Sequence, residues 1–266
     1  MTTQALFTRD GEWFNPTAFT TGPWRPDAMH GGPPSALLGL AIHDALGEGY
    51  RVARINIDLE KPVPLVPLRT SVTVRQVSRR VTHLFLELLT DTNVVATARA
   101  LVLQEDDPVS TVERDLPTAP PRTGPDGASR GGDAPHDSAL IFHRDAIEAR
   151  FTKGDWAIPG SADAWMRLTV PLVPGEETPA LCELLAVADF GSPLGQAVAP
   201  DAGIAMINVD VNVTLSGTPV GPWFHLTTQG TISKHGIGLA VTNLADEQGY
   251  LGVITQSQLT QKYGRN

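Results

Sequence analysis

Cysteine is nearly missing from this chain: among 266 residues only Cys182 occurs, so no internal disulfide can form and a disulfide framework is excluded. Cys182 lies in an apolar run of helical spacing, where a free cysteine behaves as a small core residue rather than a nucleophile. Long apolar stretches are also absent. No window approaches the roughly 18 consecutive apolar residues of a membrane span, so a soluble protein without membrane partners is expected. The start, Met1-Thr2-Thr3-Gln4-Ala5-Leu6-Phe7, has neither a basic segment nor a following apolar run, which predicts no secretory signal and a cytoplasmic address. Cations are outnumbered, 20 Lys and Arg against 29 Asp and Glu, and a net charge of -9 argues against a nucleic-acid surface. Arg75, Arg79 and Arg80 are the local exception, fitting either a solvated strand face or a basic entrance for an anionic ligand. Phosphate-binding glycine loops, Cys/His metal spacing and H-E-x-x-H are lacking too, so neither metal nor cofactor is expected.

What is present is arranged in two similar halves. Residues 105–138 are dominated by Asp, Pro, Gly, Ser and Arg, the composition of a flexible connector, which divides the chain into 1–104 and 139–266. In the first half Pro33 to Leu46 predicts a largely buried helix, with Leu37, Leu38, Ala41, Ile42 and Ala45 at helical spacing. Strands are predicted at 54–59, 70–77, 84–89 and 94–103. In the second half a helix at 178–189 precedes strands at 205–215, 223–230, 238–244 and 250–259. One tetrad marks the repeat: Ile55-Asn56-Ile57-Asp58 recurs as Ile207-Asn208-Val209-Asp210. Setting the halves side by side without a gap places Leu101 opposite Gln256 and Gln76 opposite Thr231, so the first half keeps the acid and loses its partners.

A buried helix wrapped by an antiparallel sheet of about five strands, duplicated, is an α+β double hotdog. Met29-His30-Gly31-Gly32-Pro33, leading into an apolar helix, resembles the helix entrance of acyl-CoA thioesterase II and the thioesterase-like double hotdog proteins. That resemblance implies hydrolysis of acyl-CoA thioesters, with CoA thioester as substrate and no other cofactor. It implies a catalytic set of Asp210, Thr231 and Gln256, with Thr228 and Ser233 as neighbours that a small shift would substitute. The carboxylate would take a proton from water, while hydroxyl and amide hold that water. Gly31 and Gly32 would polarise the carbonyl through backbone N–H groups at the helix N-terminus, with His30 beside them. Asp189 resembles an acidic residue near the end of the family's second helix, a secondary candidate for orienting the others. From alternation alone Asp210 also fits a solvent-facing strand surface, and His30 fits a capping or packing residue.

Other readings are weaker. His30-Gly31-Gly32 is similar to the oxyanion loop of lipases, but Gly191-Ser192-Pro193-Leu194-Gly195 has the wrong spacing for G-x-S-x-G. Hotdog hydratases need an Asp/Glu and His pair, and no His lies near either tetrad in sequence. An acyl-thioester-binding protein without turnover stays open. The hotdog resemblance further implies a homodimer or higher homo-oligomer.

Overall fold

The computed structural model describes residues 4–106, 116–122, 128–129, 131, 136–156, 158–198 and 202–262. The chain opens with a hairpin, β1 (Phe7–Asp10) and β2 (Trp13–Pro16), and runs through a Pro/Gly-rich approach into α1 (Gly32–Ala45). Pro33 and Pro34 sit in the first turn of α1, where a missing N–H breaks no intrahelical bond. Every residue from Gly32 to Ile42 is buried, because the helix is apolar on nearly all sides. Strands β3 (Tyr50–Asp58), β4 (Arg69–Ser78), β5 (Val81–Leu89) and β6 (Val94–Gln104) follow as an antiparallel set.

The second half carries β7 (Ala128–Ser129), the one-turn helix α2 (Phe142–Asp145), β8 (Ile147–Lys153), β9 (Gly160–Ser161) and β10 (Asp163–Leu168). Its central helix is α3 (Ala180–Ala188), followed by the short α4 (Gly191–Leu194) and β11 (Gly195–Gln196). Then come β12 (Ile204–Asn208), β13 (Asp210–Leu215), β14 (Phe224–Ile232), β15 (Ile237–Asp246) and β16 (Gly249–Lys262).

Both halves share one twelve-stranded sheet in the order β4-β5-β6-β3-β13-β16-β15-β14-β10-β8-β7, with β12 beside β16. The double hotdog is therefore continuous across its middle. The seam is β3 against β13, and there the last residues of the two repeated tetrads meet: Asp58 stands opposite Asp210, while Asn56 Nδ2 donates to Asn212 Oδ1 at 2.6 Å. Under the sheet α1 and α3 pack antiparallel, with Gly32 against Ala186 and Gly39 against Cys182 and Leu185. No described helix is long and apolar enough to cross a membrane.

Much of the expected connector (107–115, 123–127, 130 and 132–135) lies outside the described residues. Its described pieces lie on both halves: Glu105 N–H donates to Gly49 O and His136 Nε2 lies 3.0 Å from Gly22 O in the first, while Ala128–Ser129 pairs with β8, Pro120 O accepts from Trp165 Nε1 at 2.9 Å and the Arg122 guanidinium stacks on Trp223 in the second.

Two features differ from the expected order. Strands β8 and β10 had not been anticipated, since Ile147-Glu148-Ala149-Arg150-Phe151 mixes helix-forming residues with a two-residue alternation that the sheet makes decisive. The predicted strand 205–215 is interrupted. Three residues lie between Asn208 and Asn212, but only two between their partners Gln258 and Thr255 on β16. The extra residue is Val209, and a one-residue insertion reverses which face each side chain takes.

Candidate active site

That insertion decides where the acids go. Asp210 lies on the outer face of the sheet, away from the helices, and its carboxylate accepts from the backbone N–H and the hydroxyl of Ser257. Thr231 is exposed on the same outer face, opposite Leu239 on β15. Gln256 points inward, opposite Ala240, and is fully buried. The expected set of Asp210, Thr231 and Gln256 is thus not assembled: two members sit on one side of the sheet and one on the other. Thr228 faces inward, but its hydroxyl pairs with that of Thr242 at 2.8 Å. Ser233 bonds within its own turn. The gapless comparison of halves also needs correction. Leu101 faces outward, opposite Arg54 and His83, so it is not the counterpart of inward Gln256; shifts of register at Val52/Arg54 and Leu88/Leu89 alter the parity.

A different polar cluster occupies the inner face, where the two helices and β12 and β16 converge. Asp189, the residue that caps the C-terminus of α3, is its centre and is 7% exposed. Its Oδ1 accepts from Asn208 Nδ2 at 2.8 Å and lies 3.5 Å from Gln256 Nε2. Its Oδ2 lies 3.0 Å from His30 Nδ1. Gln258 Nε2 donates to Asn208 Oδ1 at 2.9 Å, extending the network along β16. The buried Gln256 Oε1 and Gln258 Oε1 have no partner among the described residues, leaving acceptors for a guest with O–H or N–H groups.

Across from Asp189 stands the N-terminus of α1. A Cβ on Gly31 would come within 2.5 Å of Asp189 Oδ2, and one on Gly32 would overlap the Ala186 carbonyl oxygen. The two glycines are therefore needed for the helix to approach α3 at all. Few N–H groups remain there, since Pro33 and Pro34 have none and Ser35 N–H is bonded to Gly31 O. Gly31 and Gly32 are what this helix end can offer. Gly32 N–H points toward His30 Nδ1 at 3.1 Å. The His30 ring stacks on Phe190, with centroids 5.0 Å apart and planes at 24°, and is tilted against Phe142 at 4.9 Å.

Of the residues expected from the sequence, the fold brings Gln256, Gly31, Gly32, His30 and Asp189 together and sends Asp210 and Thr231 to the outer face. Missing from that expectation were Asn208 as a site residue, Gln258, and Gly191, whose added Cβ would overlap Gln256 Oε1. Parity could have found Gln258, two residues beyond Gln256 on one strand.

Other groups do not fit a catalytic role. Cys182 is fully buried, and burial raises its thiol well above the ordinary cysteine range. Among the described residues no cluster of three or more His, Cys, Asp or Glu could hold a metal. An open groove of about 770 Å³ lies elsewhere, lined by Trp13, Lys61, Pro64, Asp91 and Thr92.

Comparison with known proteins agrees with this architecture. Residues 20–103 match the acyl-CoA thioesterase N-terminal domain and residues 114–260 the acyl-CoA thioesterase C-terminal domain. A hot dog fold protein from Alicyclobacillus acidocaldarius is 19% identical, with 98% of this chain and 96% of that one covered at a TM-score of 0.68. An acyl-CoA thioesterase II from Mycobacterium marinum is 14% identical, with 99% and 97% covered at a TM-score of 0.64. A dehydratase domain of the curacin polyketide synthase shares the fold at 11% identity, 94% and 91% coverage and a TM-score of 0.54. No curated protein matches the chain. With both of its halves matched to one family, the chain belongs to the acyl-CoA thioesterases and is a thioester hydrolase.

Proposed function

We propose that this protein hydrolyses acyl-CoA to free acid and CoA at the inner cluster, with Asp189 as general base. The observation that carries this reading is the convergence on one buried carboxylate of Asn208 and Gln256 from the sheet and of the Gly31-Gly32 helix end from the other half. Water bound to Asp189 and the free Gln256 Oε1 would be oriented and deprotonated as it attacks the thioester carbonyl. Charge developing on the carbonyl oxygen would be met by the glycine N–H groups and the positive end of α1. The proton taken by Asp189 then goes to the leaving thiolate, and no covalent intermediate is needed. Low exposure strengthens each of these interactions.

The test is thiol release from a panel of acyl-CoAs. Asp189→Asn should reduce kcat/KM by about 10²- to 10⁴-fold with the fold intact. Asp210→Asn should stay within a few-fold of the parent, since its carboxylate only ties Ser257 on the outer face. The reverse ranking would return the base to Asp210.

One observation favours a second reading. His30 and Asp189 come from different halves and stand 3.0 Å apart, which supplies the acid and imidazole pair that a hotdog hydratase requires. Incubating enoyl- and 3-hydroxyacyl-CoA with the protein separates the two: interconversion without thiol release supports hydration. We also place the protein in cytoplasmic fatty-acyl metabolism as a homo-oligomer. Ile237, Leu239, Val241 and Leu259, exposed on the outer sheet face, are the surface that supports association.

A further inference from the structure

His30 Nδ1 has two polar neighbours, Asp189 Oδ2 at 3.0 Å and the Gly32 backbone nitrogen at 3.1 Å. A ring nitrogen carries either a proton or a lone pair in its plane, so it can donate to the first or accept from the second, not both. A lone pair there would satisfy Gly32 but set an acceptor against a carboxylate oxygen in a site where water hardly screens, since the two side chains are 9% and 7% exposed. A proton there gives Asp189 a charge-assisted hydrogen bond. The ring cannot easily turn to evade the choice, because Phe190 stacks on it and Phe142 abuts it, the two phenylalanine rings themselves being 6.1 Å apart. Asn208 and Gln256 both address Oδ1, so His30 is the group that fixes Oδ2.

We propose that His30 is a positioning residue whose Nδ1–H donates a hydrogen bond to Asp189, orienting the carboxylate and at the same time leaving Gly32 N–H without an acceptor among the described residues. Gly32 N–H is then open to a thioester oxygen. One proton on one ring nitrogen thereby sets up both ends of the site, the base from the second half and the oxyanion donor from the first. His30 neither gains nor loses a proton during turnover; the proton from water passes to Asp189 and on to the thiolate. This inference rests on the hydrolase reading above, with Asp189 as the base.

The test begins with nitrogen NMR of the intact protein labelled with ¹⁵N-histidine, the His30 signals being assigned by their loss in His30→Phe. A protonated Nδ1 is the expected result, and an unprotonated Nδ1 overturns the proposal whatever the kinetics show. Kinetics on acyl-CoA supply the second arm. His30→Phe keeps a ring against Phe142 and Phe190 but removes the donor, and should lower kcat by about 10²-fold with KM within a few-fold of the parent. His30→Asn restores an amide donor near the Nδ1 position and should recover most of that loss. A fully active His30→Phe, or a His30→Asn as slow as His30→Phe, overturns the proposal. Should His30→Phe fail to fold, His30→Gln serves for the assignment and the tautomer of the parent decides. Failure of the hydrolase reading looks different: the parent releases no thiol, while the NMR still reports the tautomer.

Discussion

At the scale of single residues, the same substitution at two glycines should differ in its cost to stability, because what an added methyl meets differs. A Cβ on Gly191 would overlap Gln256 Oε1, the far end of a flexible side chain that can swing away. Gly191→Ala should therefore fold with little loss of stability yet turn over about 10²-fold more slowly, because Gln256 is displaced from Asp189. Thermal melting and thiol release on one preparation check both halves of that statement. Glu183, in the first turn of α3, provides a pH-dependent case. Burial pushes its carboxyl up to about 7, against a smaller opposing pull from Arg167. The folded protein then holds that proton more tightly than the unfolded chain does, so Glu183 costs nothing below its ordinary range and destabilises increasingly as pH rises through about 7. Glu183→Gln should melt higher than the parent at about pH 8, and the gap should close toward about pH 5. A gap independent of pH would mean that the stabilisation has another origin.

At the scale of elements, α1 and α3 form the rigid part of the site, and here glycine meets backbone. A Cβ on Gly32 would overlap the carbonyl oxygen of Ala186, which can move only if α3 moves with it. Gly32→Ala should cost about 1–3 kcal/mol, the usual penalty of overpacking, and lower activity as the helix ends part; denaturant midpoints and kcat measure the two effects. These helices were legible in the sequence, because Pro33-Pro34 marks a start and an apolar run without interruption marks burial. The strands of the repeated meander were legible for the same reason, as alternation bounded by turn residues. Which face each strand residue takes was not. Alternation carried unbroken through Val209 puts Asn208 and Asp210 on one side, whereas the inserted residue sends Asn208 inward to Asp189 and Asp210 outward to Ser257. No local pattern announces that insertion; it follows from how β12 and β13 share β16 as a partner. The meeting of His30 with Asp189, 159 positions away, is likewise a product of helix packing between halves.

At the scale of the molecule, the two similar halves share one continuous sheet and a pair of packed helices. The acids that reveal the repeat, Asp58 and Asp210, face each other across the β3–β13 seam, apart from the inner cluster proposed as the site. The proposed site draws its helix end and imidazole from the first half and its carboxylate and amides from the second. The seam is also what would be lost on dissection. A first half alone would expose β3 as an open edge, and a second half alone would expose β13, each beside a helix stripped of its antiparallel partner. The intact chain should therefore unfold in one cooperative transition, with calorimetric and van't Hoff enthalpies in agreement. Residues 1–106 and 116–266 produced separately should aggregate, and produced together should recover a soluble complex with thioesterase activity. Two resolved transitions, or a first half that stays folded and monomeric alone, would show that the halves retain the independence of the single units they repeat.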